Sequence, residues 1–140
     1  MNIKQSIFIL LTILSSTYAM SQDRNLKILN EAINGRALES ITELNLYSKG
    51  LTALPAEIGL LTNLTELVLY ENNLTEIPAE IGQLSNLTTL DLSWNDLTEI
   101  PVEIGKLTNL TKLNLYGNDN LDEASVKKIQ EMLPDCEIEY

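Results

Sequence analysis

The feature that most constrains this chain is a repeat of 23 residues. The stretch LTEIPAEIGQLSNLTTLDLSWND, residues 74–96, is followed at once by LTEIPVEIGKLTNLTKLNLYGND, residues 97–119, and 16 of the 23 positions are identical. Residues 51–73 form a third, looser copy. A fixed period of this length predicts a solenoid, in which each repeat packs only against its neighbours.

Apolar residues keep the same interval beyond these copies. The first apolar position of each unit recurs every 23 residues, at Ile41, Leu64, Leu87, Leu110 and Leu133. Apolar residues also follow at the third and fifth positions after it, and this alternation predicts a short strand with alternate side chains buried. On this interval Cys136 takes an inward leucine position in a fifth strand. We therefore expect its thiol to pack in the core.

Two further residue types recur once per unit. An asparagine follows each predicted strand, at Asn72, Asn95 and Asn118. Its side chain can bond backbone groups where the chain turns away from the strand. A proline follows later in the unit, at Pro55, Pro78 and Pro101. Because proline fixes the backbone and lacks a donor, the return side of each unit is predicted to be a short helical or 3₁₀ turn.

These residues resemble the leucine-rich repeat family. LTNLTELVLYENNLTEIPAEIG and LSNLTTLDLSWNDLTEIPVEIG match its L-x-x-L-x-L-x-x-N-x-L core and its I-P-x-x-I return segment. The match covers residues 41–120, and Lys49 stands where the first repeat should have asparagine, which suits a terminal repeat. The resemblance implies an α/β fold: a short curved solenoid with a parallel sheet on its concave side and helical caps at both ends.

The segments on either side of the repeats predict the caps. Residues 22–40 place Leu26, Leu29 and Ile33 on one helical face, which ends at Asn34-Gly35. Residues 121–140 place Val126, Ile129 and Leu133 on a second helical face. We expect this helix to replace the return segment, with an edge strand after it.

Residues 1–21 predict a secretory signal. Lys4 precedes an apolar run from Ile7 to Leu14, and small residues permit cleavage after Ala19 or after Ser21. The run is too short for a bilayer span, which needs about 20 apolar residues. The sequence therefore predicts an exported protein, whether secreted, periplasmic or on the cell surface, without a stable membrane span.

Composition excludes several classes of function. The chain has 20 acidic and 9 basic side chains, a net charge of −11, so nucleic acid and anionic membranes are poor partners. It has no histidine, the commonest general base and metal ligand, and a single cysteine. We expect no catalytic site, no metal site and no cofactor. Carboxylates such as Glu66 and Asp91 lie in different columns of an open, solvated face, where we expect them to serve solubility and not catalysis.

The differences between repeats fall mainly on one face of the predicted sheet. Stacked strands align their outward residues in columns, with neighbouring members of a column about 4.8 Å apart. Tyr47, Tyr70, Ser93 and Tyr116 form one such column, with Trp94 beside it. Tyr and Trp are favoured in interfaces. The predicted partner-binding residues are Glu43, Asn45, Tyr47, Glu66, Val68, Tyr70, Glu71, Asp91, Trp94, Lys112, Asn114 and Tyr116. The resemblance implies a protein or peptide partner on this face.

Other interpretations remain open at the level of sequence. Tyrosine suits strands and differences accumulate wherever packing imposes no constraint, so the aromatic face need not bind anything. A structural or adhesive protein could act by self-assembly or matrix contact, and an aromatic row beside Asn and Asp could bind carbohydrate. Glu137 and Glu139 on the predicted edge strand disfavour open stacking, because charges blunt sheet edges. We therefore expect a monomer.

Overall fold

The computed structural model describes Leu29 and residues 36–140 of the chain. Its centre is a parallel sheet of five strands that follow one another in sequence order. The strands are β1 (Glu43–Asn45), β2 (Glu66–Val68), β3 (Thr89–Asp91), β4 (Lys112–Asn114) and β5 (Glu137–Glu139). Each strand is therefore bonded only to the strands next to it along the chain, as expected of a solenoid.

The 23-residue interval sets the register of the first four strands. Leu44 pairs with Leu67, which pairs with Leu90, and Leu90 pairs in turn with Leu113. All four leucines are buried. Since side chains alternate across a strand, the residues on either side of each leucine point outward. The predicted columns of the sheet face are thus confirmed for β1 to β4.

The return side of each repeat is a 3₁₀ helix, as the prolines predict. These helices span Ala56–Leu60, Ala79–Gln83 and Val102–Lys106. Each is preceded by its proline in extended backbone, with φ of −62°, −68° and −64°. The helices stack closely, because a Cβ at Gly82 would lie 2.7 Å from the backbone oxygen of Glu103. Only a residue without a side chain fits between these two helices.

The core lies between the sheet and the 3₁₀ helices and consists almost entirely of leucine and isoleucine. Leu67, Leu90 and Ile81, for example, have no accessible surface. Burying such a side chain contributes about 2 kcal/mol relative to leaving it exposed. With few aromatic residues to fill space, stability depends on repeating this contact in every unit.

An asparagine ladder, formed by Asn72, Asn95 and Asn118, joins consecutive repeats. Asn95 Oδ1 accepts a hydrogen bond from Leu74 N at 3.0 Å, and Asn95 Nδ2 donates to Leu69 O and to Leu92 O, each at 3.0 Å. One side chain thus satisfies backbone groups of its own repeat and of the preceding one. Asn72 also accepts from Lys49 N at 3.1 Å, so the second repeat completes the turn of the first, which lacks its own asparagine.

The predicted helix and edge strand are present at the C-terminal end of the repeats. Helix α1 (Glu123–Met132) begins after Asp122, whose side chain accepts a hydrogen bond from Ser125 N at 2.7 Å. Val126 and Ile129 are buried against the last repeat. The carboxylate of Asp122 stabilises the start of the helix by satisfying an otherwise unpaired donor.

The register predicted for β5 is wrong by two residues. Leu113 pairs with Ile138, an offset of 25 and not 23 residues, so Cys136 lies just before the strand and not at an inward strand position. The cause is helix α1 with its flanking turns, whose length is not tied to that of a 3₁₀ return segment. Cys136 is nevertheless buried, as expected, and this burial raises the pKa of its thiol, with the charge of Glu137 adding to the effect.

Little of the N-terminal prediction can be compared with the structure. Leu29 is helical and buried, and a 3₁₀ turn spans Leu38–Ser40. The signal at residues 1–21, and the rest of the predicted cap helix with Leu26, Ile33 and Asn34-Gly35, lie outside the described residues. The domain boundaries thus stay predictions. Within residues 36–140 and at Leu29, no helix has the length and apolar character needed to cross a membrane.

Candidate functional site

The sheet face comprises the outward residues of the five strands and the aromatic residues that follow them. Of the twelve predicted binding residues, those exposed are Glu43, Asn45, Tyr47, Glu66, Glu71, Trp94, Lys112 and Tyr116. Those partly buried are Val68, Tyr70, Asp91 and Asn114. The strand register aligns Glu43, Glu66, Thr89 and Lys112 in one column and Asn45, Val68, Asp91 and Asn114 in the next.

Three residues of the second column have a structural role in the turn that follows each strand. Asn45 Oδ1 accepts a hydrogen bond from Tyr47 N at 2.9 Å, and Asn114 Oδ1 accepts from Tyr116 N at 3.0 Å. Asp91 Oδ1 accepts in the same way from Ser93 N and also from the Ser93 hydroxyl. These side chains orient the backbone that carries the aromatic residues, so Asp and Asn are interchangeable here as acceptors.

A left-handed column follows these turns, made of Ser48, Glu71, Trp94 and Gly117. Their φ angles are 49°, 57°, 53° and 75°. Glycine adopts this conformation freely, whereas a bulky side chain is a genuine outlier there. Holding Trp94 in this region costs about 1 kcal/mol or more. The repeat imposes the backbone conformation, and the tryptophan is kept in spite of it.

The ring of Trp94 rests on the next repeat. A Cβ added at Gly117 would lie 3.0 Å from a ring carbon of Trp94, so the glycine makes room for the indole. The indole also meets Tyr116 edge to face, with ring centroids 5.8 Å apart and an interplanar angle of 69°. Even so, Trp94 remains 54% exposed. Two contacts orient the ring, and about half its surface is left free.

Tyr47 and Tyr70 form a second aromatic pair at the other side of the face. Their rings are stacked, 5.1 Å apart and within 6° of parallel. The Tyr47 hydroxyl hydrogen-bonds the carboxylate of Glu71, and this bond, together with the negative charge, raises the pKa of Tyr47. The hydroxyl is therefore held as a donor to Glu71.

Ser93 does not belong to the exposed aromatic column, contrary to the prediction. It is only 3% exposed, because its small side chain turns back to donate to Asp91. In the adjacent repeats the equivalent positions are Tyr70 and Tyr116. The missing ring leaves the Ser93 depression, an open space of about 630 Å³.

The Ser93 depression is lined by aromatic and acidic residues. They include Tyr70, Trp94, Tyr116, Tyr140, Asp91 and Glu139. Tyr140 and Glu139 are site residues that the sequence did not predict, because the register of β5 decides whether they reach this face. Tyr140 is 63% exposed and also lines a second, smaller depression beside Trp94.

Lys112 pairs with Glu139 across the last two strands. The Lys112 ammonium lies 3.2 Å from Glu139 Oε1, and the two side chains are 46% and 43% exposed. The hydrogen bond to Glu139 and its negative charge raise the pKa of Lys112. Lys112 is the single basic residue in the five strands, against Glu43, Glu66, Asp91, Glu137 and Glu139.

Comparison with known proteins decides the family. A family model described as a leucine-rich repeat region matches residues 3–133. The chain belongs to the leucine-rich repeat family. A solved structure of a leucine-rich repeat protein from Leptospira interrogans is 42% identical, with a TM-score of 0.68 over 71% of this chain. The matched part is 25% of that protein's length, and a search among curated proteins found no match.

Membership confirms the predicted fold, a leucine-rich repeat solenoid with a parallel sheet. Leucine-rich repeat folds typically serve as interaction scaffolds and not as enzymes, and membership suggests a protein partner. On this leucine-rich repeat face Glu66 aligns with Thr89, while Asp91 aligns with Val68, so the two carboxylates lie in different columns. Among the described residues, no three His, Cys, Asp or Glu side chains cluster so as to hold a metal ion.

Proposed function

We propose that this leucine-rich repeat protein binds a protein or peptide on its sheet face and catalyses no reaction. The observation that supports this most directly is Trp94. A large apolar side chain is retained in left-handed backbone, supported by Gly117 and Tyr116, and left half exposed. Folding alone favours glycine or asparagine at this position. Strain of this kind is typically kept where a residue contacts a ligand.

The dimensions of the face limit the partner. Five strands spaced about 4.8 Å apart give a surface about 20 Å across. The aromatic side chains at its rim, Tyr47, Tyr70, Trp94, Tyr116 and Tyr140, are of the types that dominate binding energy in protein interfaces. A peptide segment or one small domain surface fits this area.

The test is partner capture with the full chain as bait and two matched variants. In the face variant Tyr47, Tyr70, Trp94 and Tyr116 are replaced by alanine. In the control variant Leu60 and Val102, exposed apolar residues on the return side, are replaced by alanine. We expect a partner that the native chain and the control retain and the face variant loses, with cross-links mapped to the sheet face. Equal capture by all three would rule out this face.

We also propose that the protein is exported. The support is the sequence of residues 1–21, with its basic start, short apolar run and small-residue cleavage region. N-terminal sequencing of the protein recovered from its native source tests this. A new N-terminus at Met20 or at Gln22 supports export, whereas an intact N-terminus inside the cell contradicts it.

Self-assembly is the competing role, and solution mass separates it from partner binding. The acidic residues Glu137 and Glu139 on β5 disfavour pairing of that edge with another chain. We expect sedimentation equilibrium to give the mass of one chain at all concentrations. A mass that rises with concentration would favour the structural or adhesive role.

A further inference from the structure

We propose that the Ser93 depression is a subsite for a positively charged side chain of the partner, arginine in preference to lysine. The inference rests on the proposed function, since it identifies what the sheet face recognises. It is carried by three properties of the depression, namely its shape, its aromatic walls and the charge around it.

The shape comes from a single difference between repeats. Tyr70 and Tyr116 stand at the position that Ser93 occupies in the repeat between them. The serine side chain is drawn down onto Asp91 and buried, so it does not fill the space between its neighbours. The result is a break in the aromatic row at Ser93, which forms part of the depression of about 630 Å³.

The walls suit a flat cation. Tyr70, Trp94, Tyr116 and Tyr140 all line the space, and the 69° angle between the rings of Trp94 and Tyr116 forms a corner. A cation over an aromatic face is attracted by the negative charge of the ring face, most strongly over tryptophan. A guanidinium is planar, stacks on such rings and is less strongly hydrated than an ammonium. Arginine therefore fits better than lysine.

The charge around the depression is complementary to that ligand. Asp91 and Glu139 line it, and the five strands carry five acidic residues against one lysine. That lysine, Lys112, is itself bound to Glu139 at 3.2 Å, which shows that the chain already places a cation beside this carboxylate. An arriving guanidinium competes with Lys112 for Glu139, so Lys112 weakens binding in the native protein.

The fluorescence of Trp94 gives a direct readout, because it is the only tryptophan in the chain. The full chain is titrated with three capped tripeptides, Gly-Arg-Gly, Gly-Lys-Gly and Gly-citrulline-Gly, and with maltose as a neutral sugar. We expect a saturable change with the arginine peptide that weakens as salt is added. Citrulline keeps the shape of arginine without its charge, and we expect it to bind about tenfold more weakly.

Three variants and one control variant separate the contributions of shape and charge to binding. Ser93→Tyr restores the residue of the neighbouring repeats and fills the gap, so binding of the arginine peptide should be lost. Asp91→Asn keeps the turn acceptor that Asn45 and Asn114 provide in their repeats, and should weaken binding about fivefold. Lys112→Thr, which copies Thr89 of the neighbouring strand, should strengthen binding about threefold. Glu99→Gln, at an exposed position outside the lining, should leave it unchanged.

Several results would overturn the subsite. They are equal response to the arginine and citrulline peptides, unchanged binding in Ser93→Tyr, no response to any peptide, or a response to maltose alone, which would assign the face to carbohydrate. The proposed function is judged separately by capture with the face variant. A partner lost with that variant but retained by Ser93→Tyr would keep the binding face and reject the cation subsite.

Discussion

Trp94 and Asn95 are neighbours in the chain, yet they belong to two columns with opposite characters. Asn95 is 5% exposed and its side chain bonds backbone groups of two repeats. Trp94 is 54% exposed, stands in left-handed backbone, and is replaced by Ser, Glu or Gly in the other repeats. The asparagine ladder is uniform because stacking demands it. The left-handed column varies because stacking demands only its backbone conformation.

The comparison gives a way to separate folding from recognition in a repeat protein. Replacing a residue that the stacking of repeats requires should lower stability. It should affect binding only by unfolding the protein. Replacing a residue that is kept in an unfavourable backbone conformation should leave stability unchanged or raise it, and should weaken binding.

The largest loss of stability is expected when a residue of the asparagine ladder is replaced. Asn95→Ala removes the hydrogen bonds to Leu74 N, Leu69 O and Leu92 O. Leu74 N is left without its side-chain partner in the interior, while the two carbonyls keep only the amides of Asn72 and Asn118. We expect the free energy of unfolding, measured by urea denaturation, to fall by about 3 kcal/mol. The matched control is Asn73→Ala, an exposed asparagine in the corresponding turn of the preceding repeat, which should change the free energy of unfolding little. Similar losses in both variants would contradict the role of the ladder.

Gly117→Ala should cause the second-largest loss of stability. The new Cβ meets the Trp94 ring at 3.0 Å, and the backbone is left-handed with φ of 75°. We expect a loss of about 2 kcal/mol in unfolding free energy and a change in Trp94 fluorescence. Repeating the substitution in a Trp94→Ser background removes the contact and leaves the backbone cost. An undiminished loss in that background would show that the ring does not rest on Gly117.

Trp94→Asn should raise the stability of the protein, in contrast to the two substitutions above. Asparagine tolerates left-handed backbone, so relief of strain outweighs the lost ring contacts and unfolding free energy should rise by about 0.5 kcal/mol. Tyr116→Asn removes an exposed ring from the same face without relieving such strain, and should bring no gain. A clear loss of stability in Trp94→Asn would mean that the indole is kept for folding and not for a partner.

The smallest effect concerns Glu71, the other large residue of the left-handed column. Because the Tyr47 hydroxyl donates to Glu71, Glu71→Gln should lower the pKa of Tyr47 towards its ordinary value, as followed by NMR of ring-labelled tyrosine. The folded-state pKa is raised, so this bond stabilises the fold below the unfolded pKa of about 10 and is lost as pH rises through the folded pKa. An unchanged pKa of Tyr47 in the variant would show that Glu71 does not cause the shift.

Where the 23-residue interval holds, sequence alone was sufficient for the fold. Identical spacing of Leu44, Leu67, Leu90 and Leu113 implies the register, and the prolines imply the 3₁₀ returns. The interval could not place β5, because α1 has a length of its own and shifts Ile138 by two residues. Because of the same shift, Glu139 and Tyr140 were not predicted as site residues.

The site was predictable in position and not in shape. The columns placed Tyr47, Tyr70, Trp94 and Tyr116 at one face, whose role in binding stays a prediction. The burial of Ser93 depends on a hydrogen bond to Asp91 that no spacing reveals. The strain at Trp94 was also hidden, since a bulky residue argues against left-handed backbone. Gly117 at the same position of the next repeat was the one available signal.

The bonds that join β2 to β3 recur between β3 and β4. Leu69 N donates to Asp91 O at 2.8 Å, and Leu92 N donates to Asn114 O at 2.9 Å. An in-frame deletion of residues 74–96 therefore joins two compatible surfaces and leaves a shorter array with the same bonds. It also removes Ser93 and Trp94 and brings the repeat of Tyr70 beside that of Tyr116. In a gene built from such copies, unequal crossing-over changes the residues of the proposed binding face in the same event that changes the length of the array.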